Sequence, residues 1–468
     1  MRERLLFLTG HLAAPRLERV LQEMTDPPFE PSVRNIGVKV AALMTTEIIL
    51  GRLGEVGNVD RVLLPGRFKG DLAALQERFG VPFERGPDEL ADLPRWLGQG
   101  GKPLDLSQHE CRIFAEIVEA PGLDIGVILE RARALRAQGA DVVDLGCLPG
   151  TPFPLLEEAV QTLVAEGLTA SVDSGDPEEL RRGARAGAGY LLSLDETTLD
   201  LAFETAATPV LIPTRHGDLP SLLRACERLD KAGLPYLADP ILDPIHMGFV
   251  DSLDRYRQLR QRLPEAEILM GIGNLTELTD ADTTGITMTL MGIVSELGIG
   301  NVLVVQVSPH CRRAVVEADM ARRILHAAKQ RDSLPQWLDP ALMALRDRLP
   351  FPDTTQDIAR NAAAVTDRNF RIQIAEDGIH VYNGAGHQLV TDPFAAFAGL
   401  EVAGDGGHAF YLGVELARAQ IAWQLGKRYV QDNQLRWGCA VDPPVRDSTH
   451  LEAAGATLPA RRRRPKEP

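Results

Sequence analysis

The chain has 468 residues, of which 44% are hydrophobic, 25% charged and 5% aromatic, and it carries a net charge of −15. That length accommodates two or three domains with their own cores, the composition is that of a soluble globular protein, and the excess of acid argues against a general nucleic-acid binder. No apolar run reaches the roughly 18 residues of a membrane span, and five scattered cysteines make neither a disulfide framework nor a metal-spaced set. The compartment expected is the cytoplasm.

Arg2 and Arg4 precede the apolar run Leu5–Leu8. The run is too short for a signal segment and reads as a first β-strand. Residues 1–105 then alternate strand and helix. A helix is expected near Pro15–Met24, a strand at Arg34–Val38 and an apolar helix at Val40–Leu50. Strand Val59–Leu64 leads to helix Asp71–Phe79. This pattern predicts a three-layer, Rossmann-like α/β domain with a parallel sheet. Thr9-Gly10-His11-Leu12-Ala13 sits at the first strand-to-helix junction, where backbone N–H groups can hold an anion, but one glycine does not make a dinucleotide fingerprint. Gly98–Lys102 reads as the linker.

From 108 to 330 eight strand candidates alternate with amphipathic helices such as Ile125–Gln138, Leu155–Glu166, Glu178–Ala186 and Leu219–Ala232. The strands are Cys111–Ile117, Val142–Gly146, Thr169–Ser174, Tyr190–Leu194, Pro209–Pro213, Tyr236–Pro240, Ile268–Asn274 and Asn301–Val307. Eight such units in roughly 220 residues match one (β/α)8 TIM barrel, in which chemistry lies at the carboxyl ends of the strands. Residues 331–360 read as a helical connector. Residues 361–450 read as an α+β domain, with a hairpin of Phe370–Ile374 and Gly378–Tyr382 and a long helix from Tyr411 to about Arg428. Residues 451–468, with Arg461-Arg462-Arg463-Arg464, read as a disordered basic tail.

Several barrel strands end on a carboxylate or amide. Asp173, Asp239 and Asn274 stand at tips from which they can hydrogen-bond a flat nitrogen heterocycle. A 2-amino-4-oxo pterin ring offers N3–H and the 2-amino group as a donor pair that one carboxylate accepts. Asp239 suits that pair, Asp173 the other ring edge, and Asn274 a ring nitrogen or O4. The competing reading is that each acid caps the next helix, although Ser174-Gly175-Asp176-Pro177 already offers a better cap after Asp173.

The segments Ile113-Phe114-Ala115-Glu116-Ile117, Asp141-Val142-Val143-Asp144-Leu145-Gly146, Ser171-Val172-Asp173-Ser174 and Leu237-Ala238-Asp239-Pro240 resemble the pterin-binding barrel of dihydropteroate synthases. They are most similar to the dihydropteroate synthase-like proteins of organisms that use tetrahydromethanopterin. Methyltetrahydrofolate:corrinoid methyltransferases share this superfamily. Residues 1–105 resemble the extra N-terminal domain of the synthase-like proteins, and His408–Leu416 a motif of their last domain.

The resemblance implies a transferase that joins a dihydropterin, with pyrophosphate leaving, to an arylamine in tetrahydromethanopterin biosynthesis. It implies pterin binding by Asp173, Asp239 and Asn274, with Ser193 and Asp195 at the fourth-strand position where the family has Asn. His310 and Arg312 fall where the family has its basic eighth-strand group and are the catalytic candidates. Glu116 and Ser308 are the phosphate or metal candidates, with Mg²⁺ the ion considered. Pterin and aryl compounds are the expected small-molecule partners, with no nucleic acid and no membrane, and a homodimer is the expected assembly.

The chain also departs from the family. The first strand lacks the asparagine that contacts metal and pyrophosphate. Gly146–Thr151 lacks the Thr-Arg pair serving p-aminobenzoate, and Asn274 replaces a lysine. These changes point to another acceptor, ribofuranosylaminobenzene phosphate. The alternatives are methyl transfer from a reduced pterin to a corrinoid partner and a non-catalytic pterin-binding subunit. Cys147 reads as a small buried filler rather than a nucleophile. His380, His387 and His408 match no zinc spacing and read as surface or hydrogen-bonded side chains, with a metal or corrinoid ligand set as the alternative.

Overall fold

The computed structural model describes residues 2–24, 27–41, 44–87, 90–98, 105–336 and 338–442. Most of the expected linker and the whole basic tail lie outside the described residues. Those up to 98 form one compact unit with 346–435, and 105–345 form a second with 436–442.

In the first unit the parallel strands are β1 (Glu3–Thr9), β2 (Phe29–Asn35), β3 (Arg61–Leu64) and β4 (Phe83–Arg85), in the spatial order β2-β1-β3-β4. The apolar runs are β1 and β3, whereas β2 is largely polar and exposed and lies mostly ahead of the strand expected at Arg34–Val38. Helix Ala14–Glu23 starts with Pro15 in its first turn, where the missing N–H costs nothing. The helix expected from Val40 begins only at Thr46, because the Thr45 side chain caps the N–H of Ile48. The residues before it run as irregular chain, and 42–43 lie outside the described residues.

The second unit is the barrel. Val142–Gly146 is buried at every position, as a strand covered on both faces must be. Its eight parallel strands are β5 (Arg112–Ile117), β6 (Val142–Gly146), β7 (Thr169–Asp173), β8 (Tyr190–Leu194), β9 (Thr208–Leu211), β10 (Leu237–Ala238), β11 (Leu269–Gly271) and β12 (Asn301–Val304). β12 pairs with β5, and a parallel bridge from Ala238 to Ile268 closes β10 onto β11. The expected (β/α)8 architecture is therefore present. Arg322, buried in the last helix (Ala314–Gln330), ties the end of the barrel to its start. Its guanidinium pairs with Asp141 and Asp319 and donates to the carbonyls of Cys111 and Gly139.

Among the described residues, the connector expected to be helical over 331–360 is so only from Thr355, where helix Thr355–Ala364 begins. Among the described residues no helix lies between Gln330 and Thr355, a stretch containing Pro335, Pro340, Pro350 and Pro352, each lacking the N–H a helix interior uses. In the first unit, β13 (Arg371–Ala375) and β14 (Gly378–Asn383) make the expected hairpin. A third strand, β15 (Gly386–Val390), extends it into a meander that the mixed polarity of Gly-His-Gln-Leu-Val conceals. Helix Gly406–Leu425 packs its buried residues with this sheet. Residues up to 98 join this region through Arg16–Asp353 at 2.7 Å, Arg428–Asp92 at 2.7 Å and Lys39–Thr366 at 2.7 Å.

Candidate functional site

Side chains alternate in and out along a barrel strand, so the inner apolar layer identifies the lumen. That layer is Phe114, Val142, Leu192, Val210, Leu237 and Leu269. Two residues further along β5 and β6, and just past β10, come Glu116, Asp144 and Asp239. Asp173, at the end of β7, pairs in register with Gly146 and Leu192. Four carboxylates thus occupy the layers between the apolar floor and the carboxyl-end mouth.

They differ in environment. Asp144 is fully buried, accepts the Ser171 hydroxyl at 2.5 Å through Oδ1, and leaves Oδ2 without a partner. Burial, then the charge of Asp173, pushes it well above the usual carboxylate range, against the pull of Ser171. Asp173 is half-buried and makes no side-chain hydrogen bond among the described residues. Burial, with Glu116 and Asp239 beside it, raises it to about 7. Asp239 stands at about 6, raised by burial and held back by hydrogen bonds. Its Oδ1 accepts the Tyr256 hydroxyl at 2.6 Å and the Ile241 N–H at 2.8 Å. Burial also raises Glu116, whose carboxylate lies where a Cβ on residue 146 would stand, so Gly146 makes room for it.

The competing capping explanation separates two of the acids. Helix Pro177–Ala186 is capped by Asp176, leaving Asp173 free. Asp195, by contrast, accepts from Thr197 N, Thr197 Oγ1 and Thr198 N through one oxygen, the geometry of a local turn. Ser193 is the extra residue of a bulge between Leu192 and Leu194 and is half-buried.

Asn274 lies in the short helix Gly273–Thr276 and donates Nδ2 to the Leu242 carbonyl at 2.9 Å. It thereby ties the loop after β11 to the loop after β10. That second loop is also held by Arg255, which donates to the Pro240 and Ile241 carbonyls and pairs with Asp243 at 2.7 Å.

The basic candidates lie on the loop after β12. His310 Nε2 donates to the Thr276 carbonyl at 3.2 Å, so Nδ1 is the nitrogen left for a ligand. Arg312 is exposed, whereas Arg313 pairs with Asp442 at 2.6 Å. The N–H groups of Val307 and Ser308 both donate to the Glu277 carboxylate, at 2.7 and 3.0 Å. Ser308 therefore stands where an anion is already held, and that anion is a side chain of the same unit. Among the described residues no three His, Cys, Asp or Glu side chains gather as a metal site.

Sequence reading passed over Asp144, Ser171 and Tyr256. The first was within reach, because Val142 and Asp144 repeat the spacing of Phe114 and Glu116. Tyr256 is one aromatic on an amphipathic helix (Phe249–Arg262), and nothing local marks its hydroxyl as turned inward. Cys147 is no nucleophile in this setting, since burial and nearby Glu179 push its thiol up to about 12. In the first unit, His380 bridges His387 at 3.0 Å and Asp377 at 3.0 Å, while His408 stacks on Tyr411. Two of the three histidines meet, as hydrogen-bonded side chains.

Residues 3–88 match a family of unknown function, DUF6513. Over its whole length, an uncharacterized protein of Methanocaldococcus jannaschii, MJ0107, is 25% identical across 93% of this chain. Among solved structures, similar chains include the Yersinia pestis dihydropteroate synthase in a sulfonamide drug complex, at 19% identity and TM-score 0.38, covering 49% of this chain and 96% of that one. The Xanthomonas albilineans dihydropteroate synthase with 4-aminobenzoic acid has 20% identity and TM-score 0.38, covering 50% and 96%. No helix among the described residues is long and apolar enough to cross a membrane.

Proposed function

We propose that the barrel binds a reduced pterin between Asp173 and Asp239 and joins it, through its exocyclic methylene carbon, to an arylamine, as dihydropteroate synthases do. One observation carries this reading. Two lumen carboxylates, each with acceptor capacity to spare, face the mouth, and among the described residues no lysine or arginine forms an ion pair with either. Such a site favours a neutral, flat ligand rich in N–H donors over an anion. Asp239 takes the N3–H and 2-amino pair, Asp173 the opposite edge, and the buried acid Asp144 lies beneath them.

In the transfer, the amine nitrogen bonds to the methylene carbon as the carbon–oxygen bond to pyrophosphate breaks, and the amine proton passes to water. The protein's part is to orient the ring against the amine. Mg²⁺, as a companion of pyrophosphate, would be held by Glu116 and would offset the charge of the leaving group. His310 Nδ1 and Arg312 are the groups we assign to the pyrophosphate or to a phosphate-bearing acceptor such as ribofuranosylaminobenzene phosphate. A place in tetrahydromethanopterin biosynthesis follows from that acceptor.

A second reading draws on Glu277. It already neutralises the loop N–H groups after β12, which suits a pterin without pyrophosphate, such as a methyl donor to a corrinoid partner. Mass spectrometry separates the two. Dihydropterin-CH₂-pyrophosphate is incubated with p-aminobenzoate in one tube and ribofuranosylaminobenzene phosphate in another. An adduct only in the second supports the proposed acceptor. No adduct in either, with pterin binding retained, moves the assignment to methyl transfer or to a pterin-binding subunit.

A further inference from the structure

The small parallel sheet reverses direction at β1. The chain leaves β1 to one side to form β2, then crosses to the other side to form β3. At such a reversal the connections diverge and leave a crevice beyond the carboxyl ends of the two central strands. A cavity of about 160 Å³ lies there, walled by Phe7 and Leu8 of β1, Leu63 and Leu64 of β3, Leu17 and Leu93.

What this cavity can hold follows from what is already paired. Comparable sites hold phosphate on the N–H groups at the start of the helix after β1. Here the His11 and Leu12 N–H groups donate to the Val38 and Lys39 carbonyls, those of Ala13 and Ala14 to Gly10 O, and Pro15 has none. Gly10 permits this close packing, since a Cβ there would stand 2.8 Å from Val38 O. The anion-binding expectation for Thr9–Ala13 is thereby overturned.

Among the described residues two polar side chains line the wall, Arg67, which already has a partner, and Thr9. Thr9 is 2% exposed, and its Oγ1 makes only a long 3.5 Å hydrogen bond, donated to Gly10 O, so its lone pairs are open to a donor. The volume compares with the apolar cavity of about 150 Å³ that holds a benzene ring. We propose that this cavity is a second binding site, taking an uncharged nitrogen heteroaromatic ring whose N–H donates to Thr9 Oγ1.

The test uses the full chain, with indole, its carbocyclic isostere indene and inorganic phosphate as probes, followed by calorimetry and ligand-observed NMR. Indole should bind saturably at one site per chain, and phosphate should not compete. Ala13→Phe, which fills the cavity, should weaken indole at least tenfold. Thr9→Val keeps the side-chain shape and should weaken indole about tenfold while leaving indene unchanged. Asp239→Asn, in the barrel, should leave indole binding intact. The proposal is overturned by absence of saturable indole binding to the unmodified chain, by competition from phosphate, by equal effects of Thr9→Val on both rings, or by loss of binding in Asp239→Asn.

Discussion

The hydroxyl of Tyr256, a fully buried residue, donates to Asp239 Oδ1 at 2.6 Å. With the Ile241 N–H on the same oxygen, this bond fixes the carboxylate plane and leaves Oδ2 for a ligand. It also opposes the burial that raises Asp239 to about 6.

Tyr256→Phe keeps the ring and removes the donor. Asp239 then titrates higher, so the pH below which pterin affinity falls moves up from about 6. At neutral pH the affinity should drop about five- to tenfold, the worth of roughly 1–1.5 kcal/mol for one hydrogen bond. Calorimetric titration at several pH values measures both effects, and an unmoved midpoint would remove Tyr256 from the site.

Asp239→Asn turns an acceptor pair into an amide whose own N–H faces the ring's N–H groups. Pterin affinity should fall by well over tenfold, the cost of leaving a buried donor unmatched. Unchanged affinity would place the pterin elsewhere.

Asp173 carries a pH signature in stability. Its folded value of about 7 lies above the unfolded value of roughly 3.9, so folding is favoured by its protonated form. That contribution is full below the unfolded value and is lost as pH rises through about 7. Asp173→Asn should therefore gain stability over the unmodified chain at pH 8, by about 1–2 kcal/mol after allowing for its partial exposure, and progressively less toward pH 4. Urea unfolding at the two ends of this range checks the sign.

Arg322 stands for closure of the barrel. Replacing it with Met leaves Asp141 and Asp319 without their shared buried cation, and the barrel should lose about 3–5 kcal/mol. A loss below 1 kcal/mol in urea unfolding would show that the strand ladder alone holds the closure.

Much of this was legible in the residues themselves. Eight apolar runs alternating with helical patterns specify a barrel because parallel strands must be covered on both faces. A carboxylate at a strand tip is legible for the same reason, since it lies where the strand meets its loop. Asp173 and Asp239 stand out as strand-tip acids in this way, and the segment Ser174-Gly175-Asp176-Pro177 as the better cap, of which Asp176 is the capping residue. The third strand of the meander and the lack of helix in the connector before Thr355 were not legible. In the first case local polarity masked a sheet edge, and in the second prolines broke a stretch otherwise read as helical.

Which acids meet was decided by tertiary structure. Asp195 and Asp239 look alike along the chain, yet one closes a turn on its own neighbours and the other receives a hydroxyl from a helix seventeen residues away. Likewise the loop N–H groups at Val307 and Ser308 invite an anion until Glu277, thirty residues earlier than Val307, supplies one. Strand identity is local, set by side-chain period and burial. Pairing of donors with acceptors is not local, because the partners are brought together only when the barrel closes.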